Sequence, residues 1–377
     1  MTRPAAKGWC PGAYHPMISG DGLIVRVRPQ MMRLTQTQAL GLCDLATTYG
    51  SGLIDLTSRA NLQIRGVRPS DHEALLAGLL ELGLLNDDPD LEGRRNILVT
   101  PLWHHGDVNA HIAHDLIQRL ADFPQLPAKM GFAIDAGPTP ILQGDSADFR
   151  IERAATGNLI LRADGATAGR KITQDTAILA LIEMAQWFCD TGGAQNRRMA
   201  KHVTKVPLPD TWQNLEPASA AKKPTPGLMA QGHAYGVAFG QIEAQALTSL
   251  FLASQATALR VTPWRLFILE NATHPATTGF ISHDADPLLR MDACPGAPFC
   301  ESASVDTRSL ARKLARAASG PVHVSGCAKG CARPRICETT LVGRDGKFDL
   351  VRNGLPWDEP DQFNLDPDTL PDRIGDL

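Results

Sequence analysis

Alternating apolar and basic residues mark the first predicted strand of the chain. Residues 23–28, Leu-Ile-Val-Arg-Val-Arg, have the two-residue period of a half-buried strand, which places Arg26 and Arg28 on one face. The pattern that follows predicts a helix over 35–49, strands over 52–57 and 61–66, and a helix that Ser70 or Asp71 caps. This order of elements is close to half of an α+β sandwich.

A similar pattern recurs late in the chain. Residues 236–240 predict a strand, residues 241–258 a helix, and residues 259–270 two short strands around a break. The last of these segments follows the order of residues 54–66: apolar, polar, apolar, Thr, a two-residue break and an alternating strand. Two such units would pair into one pseudo-symmetric sheet domain. Accidental similarity between two short β patterns is the alternative.

Composition places the chain among globular proteins. Apolar residues make up 43% and charged residues 20%, and the net charge is only -3, so nothing indicates binding to nucleic acid or to an anionic membrane. The N-terminus has no signal-peptide pattern, and the longest apolar stretch, residues 74–85, is interrupted by Glu81. A cytoplasmic protein is therefore expected. Thiols stay reduced there, so its eight cysteines are read first as ligands, catalytic groups or core residues.

Four cysteines form two pairs with the spacings CxxxxxC and CxxxC, namely Cys294, Cys300, Cys327 and Cys331. An amphipathic helix and an apolar strand lie between the pairs, so a loop before the helix and a loop after the strand can meet at one end of a subdomain. Four thiolates suit an iron–sulfur cluster, here [4Fe–4S]. Zinc is the main competitor, although its ligand pairs usually lie two to four residues apart. Four unrelated buried thiols are the other alternative, and Cys10, Cys43, Cys189 and Cys337 are assigned no ligand role.

Basic and amide residues gather in the first half of the chain. If residues 59–65 form a strand, Arg59, Asn61, Gln63 and Arg65 share one face. A cationic wall would also include Arg26, Arg28, Arg95 and Lys129. Guanidinium and amide donors suit carboxylates, and an ordinary solvated face is the alternative.

The histidines offer a weaker motif. His111 has the helical ligand spacing to His114 and Asp115, and His104 and His105 lie nearby. A mononuclear iron site of two His and one carboxylate would use such residues. A solvated helix surface is the preferred interpretation.

Three segments resemble the sirohaem-dependent sulfite and nitrite reductase superfamily: Leu56 to Gln63, the turn Arg95-Asn96-Ile97, and Gly326 to Pro334 with its two cysteines. Within the superfamily the chain is most similar to the precorrin-3B synthase family. The supporting phrases are Cys10-Pro11-Gly12, Asp21 to Pro29, Phe239 to Ala244, Thr262-Pro263-Trp264-Arg265 and Val351 to Gly354.

The resemblance implies an α+β fold of the sulfite/nitrite reductase kind. Pseudo-symmetric ferredoxin-like repeats would form a shared sheet domain, flanked by two reductase-type α/β domains. The expected boundaries are 1–88 for the first ferredoxin-like half, 89–206 for the first α/β domain, 207–227 for a Pro- and Lys-rich linker, 228–285 for the second half, 286–361 for the cluster-bearing domain and 362–377 for a loose tail.

It also implies a reaction. The family uses O2 and NADH to hydroxylate C20 of precorrin-3A, with closure of a γ-lactone, in aerobic cobalamin biosynthesis. The family further implies a mononuclear non-haem iron, whose ligands the sequence does not identify, and electrons that arrive directly or through a partner. The macrocycle would lie nearest Cys331, and its carboxylates would bind the cationic wall together with Lys329 and Arg333. Catalytic residues are not identified.

Two departures argue against reduction of sulfite or nitrite. The reductases place a second lysine two positions after the first, where this chain has Gly131, and the chain is shorter than typical sirohaem reductases. A sirohaem-dependent sulfite or nitrite reductase is the alternative enzyme. A non-catalytic electron carrier or zinc-stapled binding module is the other, and it would leave the Arg-rich sheet without a purpose.

Overall fold

Four five-stranded sheets organise the chain in a computed structural model that describes residues 11–272 and 279–373. One continuous apolar core runs through the first three sheets in the described residues, and a separate core lies under the fourth. Cys10 lies outside the described residues. No described helix is long and apolar enough to cross a membrane.

The first half begins with a tight hairpin and continues as predicted into helix, strand, strand and helix. Its elements are β1 (Met17–Ser19), β2 (Gly22–Val27), β3 (Arg33–Thr35), α1 (Gln36–Tyr49), β4 (Leu53–Leu56), β5 (Leu62–Val67) and α2 (His72–Glu81). Helix α1 starts at a capping box, in which the Thr35 hydroxyl accepts from the Gln38 amide and the Gln38 side chain accepts from the Thr35 amide. Its buried face packs against the sheet through Ala39, Leu42 and Ala46.

The middle domain has its own mixed sheet, in the order β10-β9-β8-β7-β6. Its elements are α3 (Pro89–Arg94), β6 (Ile97–Val99), α4 (Val108–Gln118), β7 (Phe132–Asp135), β8 (Phe149–Arg153), β9 (Leu159–Ala163), β10 (Arg170–Lys171), α5 (Ala177–Asp190), α6 (Gly193–Asn196) and α7 (Met199–Val203). The segment predicted as a linker packs against this domain, because Trp212 is buried and Pro217 bridges to Ala154.

The second half repeats the first. It contains β11 (Gly227–Met229), β12 (Gly232–Gly236), β13 (Gln241–Glu243), α8 (Ala244–Ser254), β14 (Ala258–Val261) and β15 (Leu266–Glu270). The strand predicted over 236–240 is therefore wrong. Residues 238–240 form a tight turn in which Phe239 has φ 60°. The helix predicted over 241–258 begins only at Ala244, because residues 241–243 form β13.

The two halves exchange a strand, which confirms the pseudo-symmetric sheet domain. Strand β13 of the second half pairs with β4 of the first, with Gln241 opposite Asp55. Reciprocally, β3 of the first half pairs with β14, with Leu34 opposite Leu259. The sheet orders are β1-β2-β5-β4-β13 and β11-β12-β15-β14-β3. Neither sheet is complete without the other half of the chain.

The last domain carries the four spaced cysteines. Its elements are β16 (Met291–Ala293), α9 (Arg308–Leu314), β17 (Val322–Ser325), β18 (Cys337–Arg344), β19 (Lys347–Gly354), β20 (Gln362–Leu365) and α10 (Leu370–Arg373). The predicted loose tail is wrong for its described part: β20 pairs with β19, and Leu370 is fully buried.

Candidate functional site

Two parallel strands bring the cysteine loops together. Strands β16 and β17 run parallel, with Ala293 opposite Val324. Cys294 directly follows the first strand, and Cys327 follows the second after one glycine. Because the carboxyl ends of parallel strands meet at one edge of a sheet, the two loops lie side by side, as the spacing predicted.

Polar groups surround the first of these thiols. The Ala332 amide donates to Cys294 Sγ at 3.4 Å, the Ser325 hydroxyl lies 3.4 Å from it, and His323 Nε2 lies 3.7 Å away. Hydrogen bonds to ligand sulfurs are a means by which proteins tune iron–sulfur clusters. The surroundings of Cys294 thus fit a thiolate that binds a cluster iron.

The four thiols lie close enough to perturb one another. Burial, with the neighbouring Cys300 and Cys294, raises the pKa of Cys327. Burial together with the other three thiols raises the pKa of Cys331 to about 11. Cys327 and Cys331 are therefore protonated at neutral pH without metal, and binding of iron, which needs thiolates, releases their protons.

A single metal ion fits less well than a cluster. In the described parts of the chain, no three His, Cys, Asp or Glu side chains converge as ligands of one ion. A [4Fe–4S] cluster takes one cysteine per iron, so its four ligands need not meet at one point. Zinc requires that convergence.

The histidine motif offers no ligand set among the described residues. The ring of His105 contacts Trp103 edge-on, and His114 lies 2.7 Å from the Gln118 side chain. The described residues therefore do not fit a mononuclear iron, and no residue is assigned to one.

A cationic cavity of about 620 Å³ lies over the first half sheet. Three of the predicted arginines line it. Its wall consists of Gly12, Tyr14, His15, Pro16, Arg26, Arg28, Arg59, Gly93, Asn96 and Ala128. Lys129 follows Ala128 in the chain but is not among the lining residues, so the cavity brings together Arg26, Arg28 and Arg59 of the predicted wall.

One buried carboxylate holds two of the arginines. Arg28 and Arg95 pair with Glu92 at 3.1 Å and 3.3 Å, and Arg95 also donates to the Arg28 carbonyl. Arg95 is only 7% exposed, and burial lowers its pKa. It supports the wall from behind rather than facing a ligand.

The four-residue ladder predicted along one strand is wrong. Arg59 lies in a turn, closed by the Ala60 amide on the Thr57 carbonyl, with Ala60 at φ 51°. Asn61 precedes β5, and its buried Nδ2 has no hydrogen-bond partner among the described residues. The turn aims Arg59 into the cavity, whereas a continuous strand would have aligned it with Gln63.

The polar residues instead form a row across four strands. Arg26 pairs in register with Gln63, Gln63 with Asp55, and Asp55 with Gln241. Paired residues point to the same face, and three strand spacings make the row about 14 Å long. Asp55 and Gln241 were missed because their alignment depends on pairing between distant strands.

Arg65 does not face a ligand. Its side chain is 2% exposed and binds Asp21 through two nitrogens, at 2.7 and 2.9 Å, and Asp55 at 3.0 Å. Lys329 bonds to Ser302, and Arg333 pairs with Asp292 at 2.9 Å. Because Arg65 is buried and already paired with two carboxylates, we no longer count it among the predicted substrate-binding residues.

The second half sheet lacks an equivalent polar row. Ala234 and Ile268 stand opposite each other there, and Arg260 pairs with Arg33 across β14 and β3. Both arginines form ion pairs with Glu270, at 2.5 and 2.8 Å. The asymmetry places the candidate ligand face in the first half.

An apolar cavity adjoins the cationic one. It has a volume of about 220 Å³, and its wall includes Phe123, Leu126 and Met130. His15 and Asn96 line both cavities. Sequence reasoning missed His15, because it lies in an irregular segment without periodicity.

Comparison with known proteins agrees with this architecture. The family described as "Nitrite/Sulfite reductase ferredoxin-like half domain" matches residues 15–82. A structure of the NirA protein of Mycobacterium tuberculosis aligns with a TM-score of 0.61 at 19% identity, over 94% of this chain and 79% of that one.

Curated relatives extend over most of the chain. A ferredoxin–nitrite reductase of Leptolyngbya laminosa is 22% identical over 89% of this chain and 80% of its own length. A precorrin-3B synthase of Sinorhizobium sp is 31% identical over 92% of this chain and 83% of its own length. With its paired half sheets and its spaced cysteines, the chain belongs to the precorrin-3B synthase family, within the sulfite and nitrite reductase superfamily.

Proposed function

We propose that this protein is an O2-dependent hydroxylase of precorrin-3A, acting at C20 with γ-lactone formation in cobalamin biosynthesis. The observation that carries the proposal is the cationic cavity, where Arg26, Arg28 and Arg59 converge on the half sheet that contacts the cysteine-bearing domain. The similarity to a precorrin-3B synthase supports the choice of substrate.

The charges of the cavity suit a polycarboxylate. Arg26, Arg28 and Arg59 line the cavity, and Arg28 shares the carboxylate of Glu92 with Arg95. A tetrapyrrole with acetate and propionate arms supplies the missing negative charge, and guanidinium groups offer a planar fork to each carboxylate. In the row across the strands, Arg26, Gln63 and Gln241 extend these donors under a flat ligand, while the carboxylate of Asp55 is paired with Arg65 and Arg308 at 3.0 and 3.4 Å.

Cys294, Cys300, Cys327 and Cys331 would hold a [4Fe–4S] cluster. When bound, the cluster supplies electrons one at a time for oxygen activation, from NADH directly or through a partner protein. The chain's own residues bind the carboxylates and orient the macrocycle so that one edge faces the cysteine loops. Apolar residues of the adjoining cavity would exclude water from the part of the macrocycle that they cover.

Sulfite or nitrite reduction with sirohaem is less well supported. A second lysine at position 131 would add a donor to the wall, but a Cβ there would lie 2.7 Å from the Asn96 carbonyl oxygen. The backbone of Gly131 is fixed by Asp148, whose carboxylate accepts from its amide at 3.1 Å. Position 131 therefore has no room for the side chain that the reductases carry.

The reaction is tested by supplying precorrin-3A, an electron source and labelled dioxygen. We expect one labelled oxygen atom in the product, and no turnover without oxygen or without electrons. An oxygenated product formed without oxygen would indicate a water-derived route and contradict the proposal. Reduction of sulfite or nitrite by the sirohaem-loaded protein, at the rate of a true reductase, would favour the alternative.

The cluster is tested by iron and acid-labile sulfide analysis. The wild type should hold about four of each per chain, and Cys327→Ser should lose most of both. Cys189→Ser is the matched control, because Cys189 lies far along the chain from the cysteine motif and its Sγ donates to the Gln125 carbonyl, at 3.9 Å. Full iron and sulfide in Cys327→Ser would contradict the ligand assignment.

A further inference from the structure

The turn between β1 and β2 touches the loop that joins the first two cysteines of the cluster motif. The Ser19 hydroxyl donates to the Phe299 carbonyl at 2.6 Å. Next to it, Gly20 packs so closely that a Cβ would lie 2.3 Å from the Pro298 carbonyl oxygen. Phe299 immediately precedes Cys300, so these contacts fix the backbone beside a ligand.

Arg65 reinforces the same contact from β5. Its Nη2 donates to the Phe299 carbonyl at 3.3 Å, and its guanidinium lies 5.8 Å from the centre of the Phe299 ring. Asp21 and Asp55 hold that guanidinium in place. The turn and Arg65 together approach one peptide from two elements.

The repeat provides an internal comparison for the turn. Ser19 pairs with Gly22 in the first hairpin, as Met229 pairs with Gly232 in the second. Gly20 therefore corresponds to Ala230. A side chain is tolerated at this turn position when no cysteine loop lies against it, so the cysteine loop and not the turn requires glycine.

The repeat gives the same result for Arg65. Ile64 pairs with Ile54 in the first half, as Leu269 pairs with Leu259 in the second, so Arg65 corresponds to Glu270. Glu270 points its charge at Arg260 within its own sheet domain. The residues that hold the Phe299 peptide are thus specific to the half that meets the cysteine loop.

We propose that Ser19, Gly20 and Arg65 form a clamp that positions the Cys294–Cys300 loop against the substrate-binding sheet. The inference rests on the proposed cluster, and it adds that the sheet domain controls the position of a cluster ligand. Because Asp55 pairs with Arg65 of the clamp and also lies in the polar row, the clamp links the ligand face to the cysteine loop. These are positioning residues, and they act through the Phe299 peptide.

Gly20→Ala tests the clamp, because Gly20 has no left-handed φ and the substitution acts through the added Cβ. We expect iron release to a chelator about threefold to tenfold faster than in the wild type, with an altered electron paramagnetic resonance spectrum of the reduced cluster. Ser19→Ala should act in the same direction without a steric effect. Ala230→Gly is the matched control and should leave both measurements unchanged.

The thiols give a readout independent of the cluster. In metal-free protein, alkylation of Cys300 should be faster in Gly20→Ala and Ser19→Ala than in the wild type and Ala230→Gly. A wild type without iron and sulfide would overturn the cluster but not the clamp, which the alkylation rates still decide. The clamp would be contradicted if Ser19→Ala matched the wild type in iron release, in its spectrum and in Cys300 alkylation. It would also be contradicted if the changes in the variants were fully explained by a lower melting temperature.

Discussion

A single carboxylate, Glu92, is shared by two guanidinium groups at the cationic cavity. It pairs with both Arg28 and Arg95, and it also accepts a hydrogen bond from the Asn86 backbone amide. Two guanidinium groups on one carboxylate leave an excess of positive charge in a buried place, and burial makes each remaining charge costly until an anion arrives. Such a cavity favours ligands with several carboxylates.

Arg59 is the residue where this charge is most readily tested. Replacing it by Ala should raise the dissociation constant for precorrin-3A about tenfold or more, since a charge-assisted hydrogen bond contributes about 1.5–3 kcal/mol. Iron and sulfide content should not change. Equilibrium titration measures the effect, and Arg68→Ala is the control, because Arg68 is exposed and pairs only locally with Asp71. Unchanged affinity in Arg59→Ala would move the ligand face elsewhere.

Gly131 allows a second prediction at this scale. Gly131→Lys should not gain sulfite or nitrite reductase activity, because its Cβ would meet the Asn96 carbonyl before the amine could reach the cavity. Overpacking of this kind costs about 1–3 kcal/mol, which a lower melting temperature would show. Gly144→Ala is a suitable control, since no atom lies within 4 Å of a Cβ there. Gained turnover in a stable variant would refute this reasoning.

The roles of individual residues could be predicted where they follow from spacing along the chain, and could not where a turn or a distant contact sets the direction of the side chain. The loops that carry the cysteine pairs could be predicted, because each pair begins within two residues of the end of a strand. Arg59 could not be placed, because the left-handed conformation of Ala60 breaks the two-residue period that the sequence suggests. The pattern predicted the same role for Arg65 as for Gln63, because it gives no sign that Asp21, in the turn between β1 and β2, pairs with Arg65.

At the scale of elements, Glu270 joins three strands from both halves of the chain. It lies at the end of β15 and binds Arg260 of β14 and Arg33 of β3. Burial alone would raise the pKa of Glu270, but hydrogen bonds and charge from Arg33 and Arg260 hold it below its ordinary value. The exchanged strand is thereby fastened by an ionised carboxylate.

Glu270→Gln should lower the free energy of unfolding by about 3 kcal/mol, because two buried guanidinium groups lose their counter-charge. A depressed carboxyl pKa stabilises the fold above the unfolded pKa and loses that effect as pH falls through the folded value. The wild type should therefore lose more stability than the variant below about pH 4.5. Denaturant unfolding across pH measures this, with the exposed pair of Glu183 as control in Glu183→Gln. Parallel pH profiles would contradict it.

Elements with a clear period were predicted, and short exchanged strands were not. Helix α1 and strands β4 and β5 follow their apolar pattern closely. Strands β3 and β13 have three residues each and lie directly before a helix, so the helical pattern hides them. Each of these strands pairs with a strand of the other half, and that pairing leaves no pattern in the local sequence.

For the whole molecule, the asymmetry between halves predicts one precorrin-3A per chain. The second half has Trp264 at the turn position of Arg59, and its indole donates to Asp145 beside Lys223. With Ile268 in place of Gln63, the second face offers little to carboxylates. Titration calorimetry should reach its end point at one equivalent. A second equivalent of similar affinity would show that the halves are functionally alike.

The paired sheet domain and the cysteine-bearing domain could be predicted from the repeat and the cysteine motif, because each of these patterns is visible within a short stretch of sequence. The packing of the predicted linker around Trp212 and the strand of the predicted tail did not follow. Proline-rich and acidic segments look alike whether they are solvated or laid along a neighbouring surface, since the deciding contacts come from elsewhere in the chain.

The exchanged strands also govern how the protein is made. On the ribosome, the edge of β4 emerges without a partner and waits for residues 241–243, which at typical translation rates takes on the order of ten seconds. An open edge of this kind pairs readily with other nascent chains. The first half therefore cannot complete its sheet until residues 241–243 have emerged, and its production should depend on chaperones that shield that edge until then.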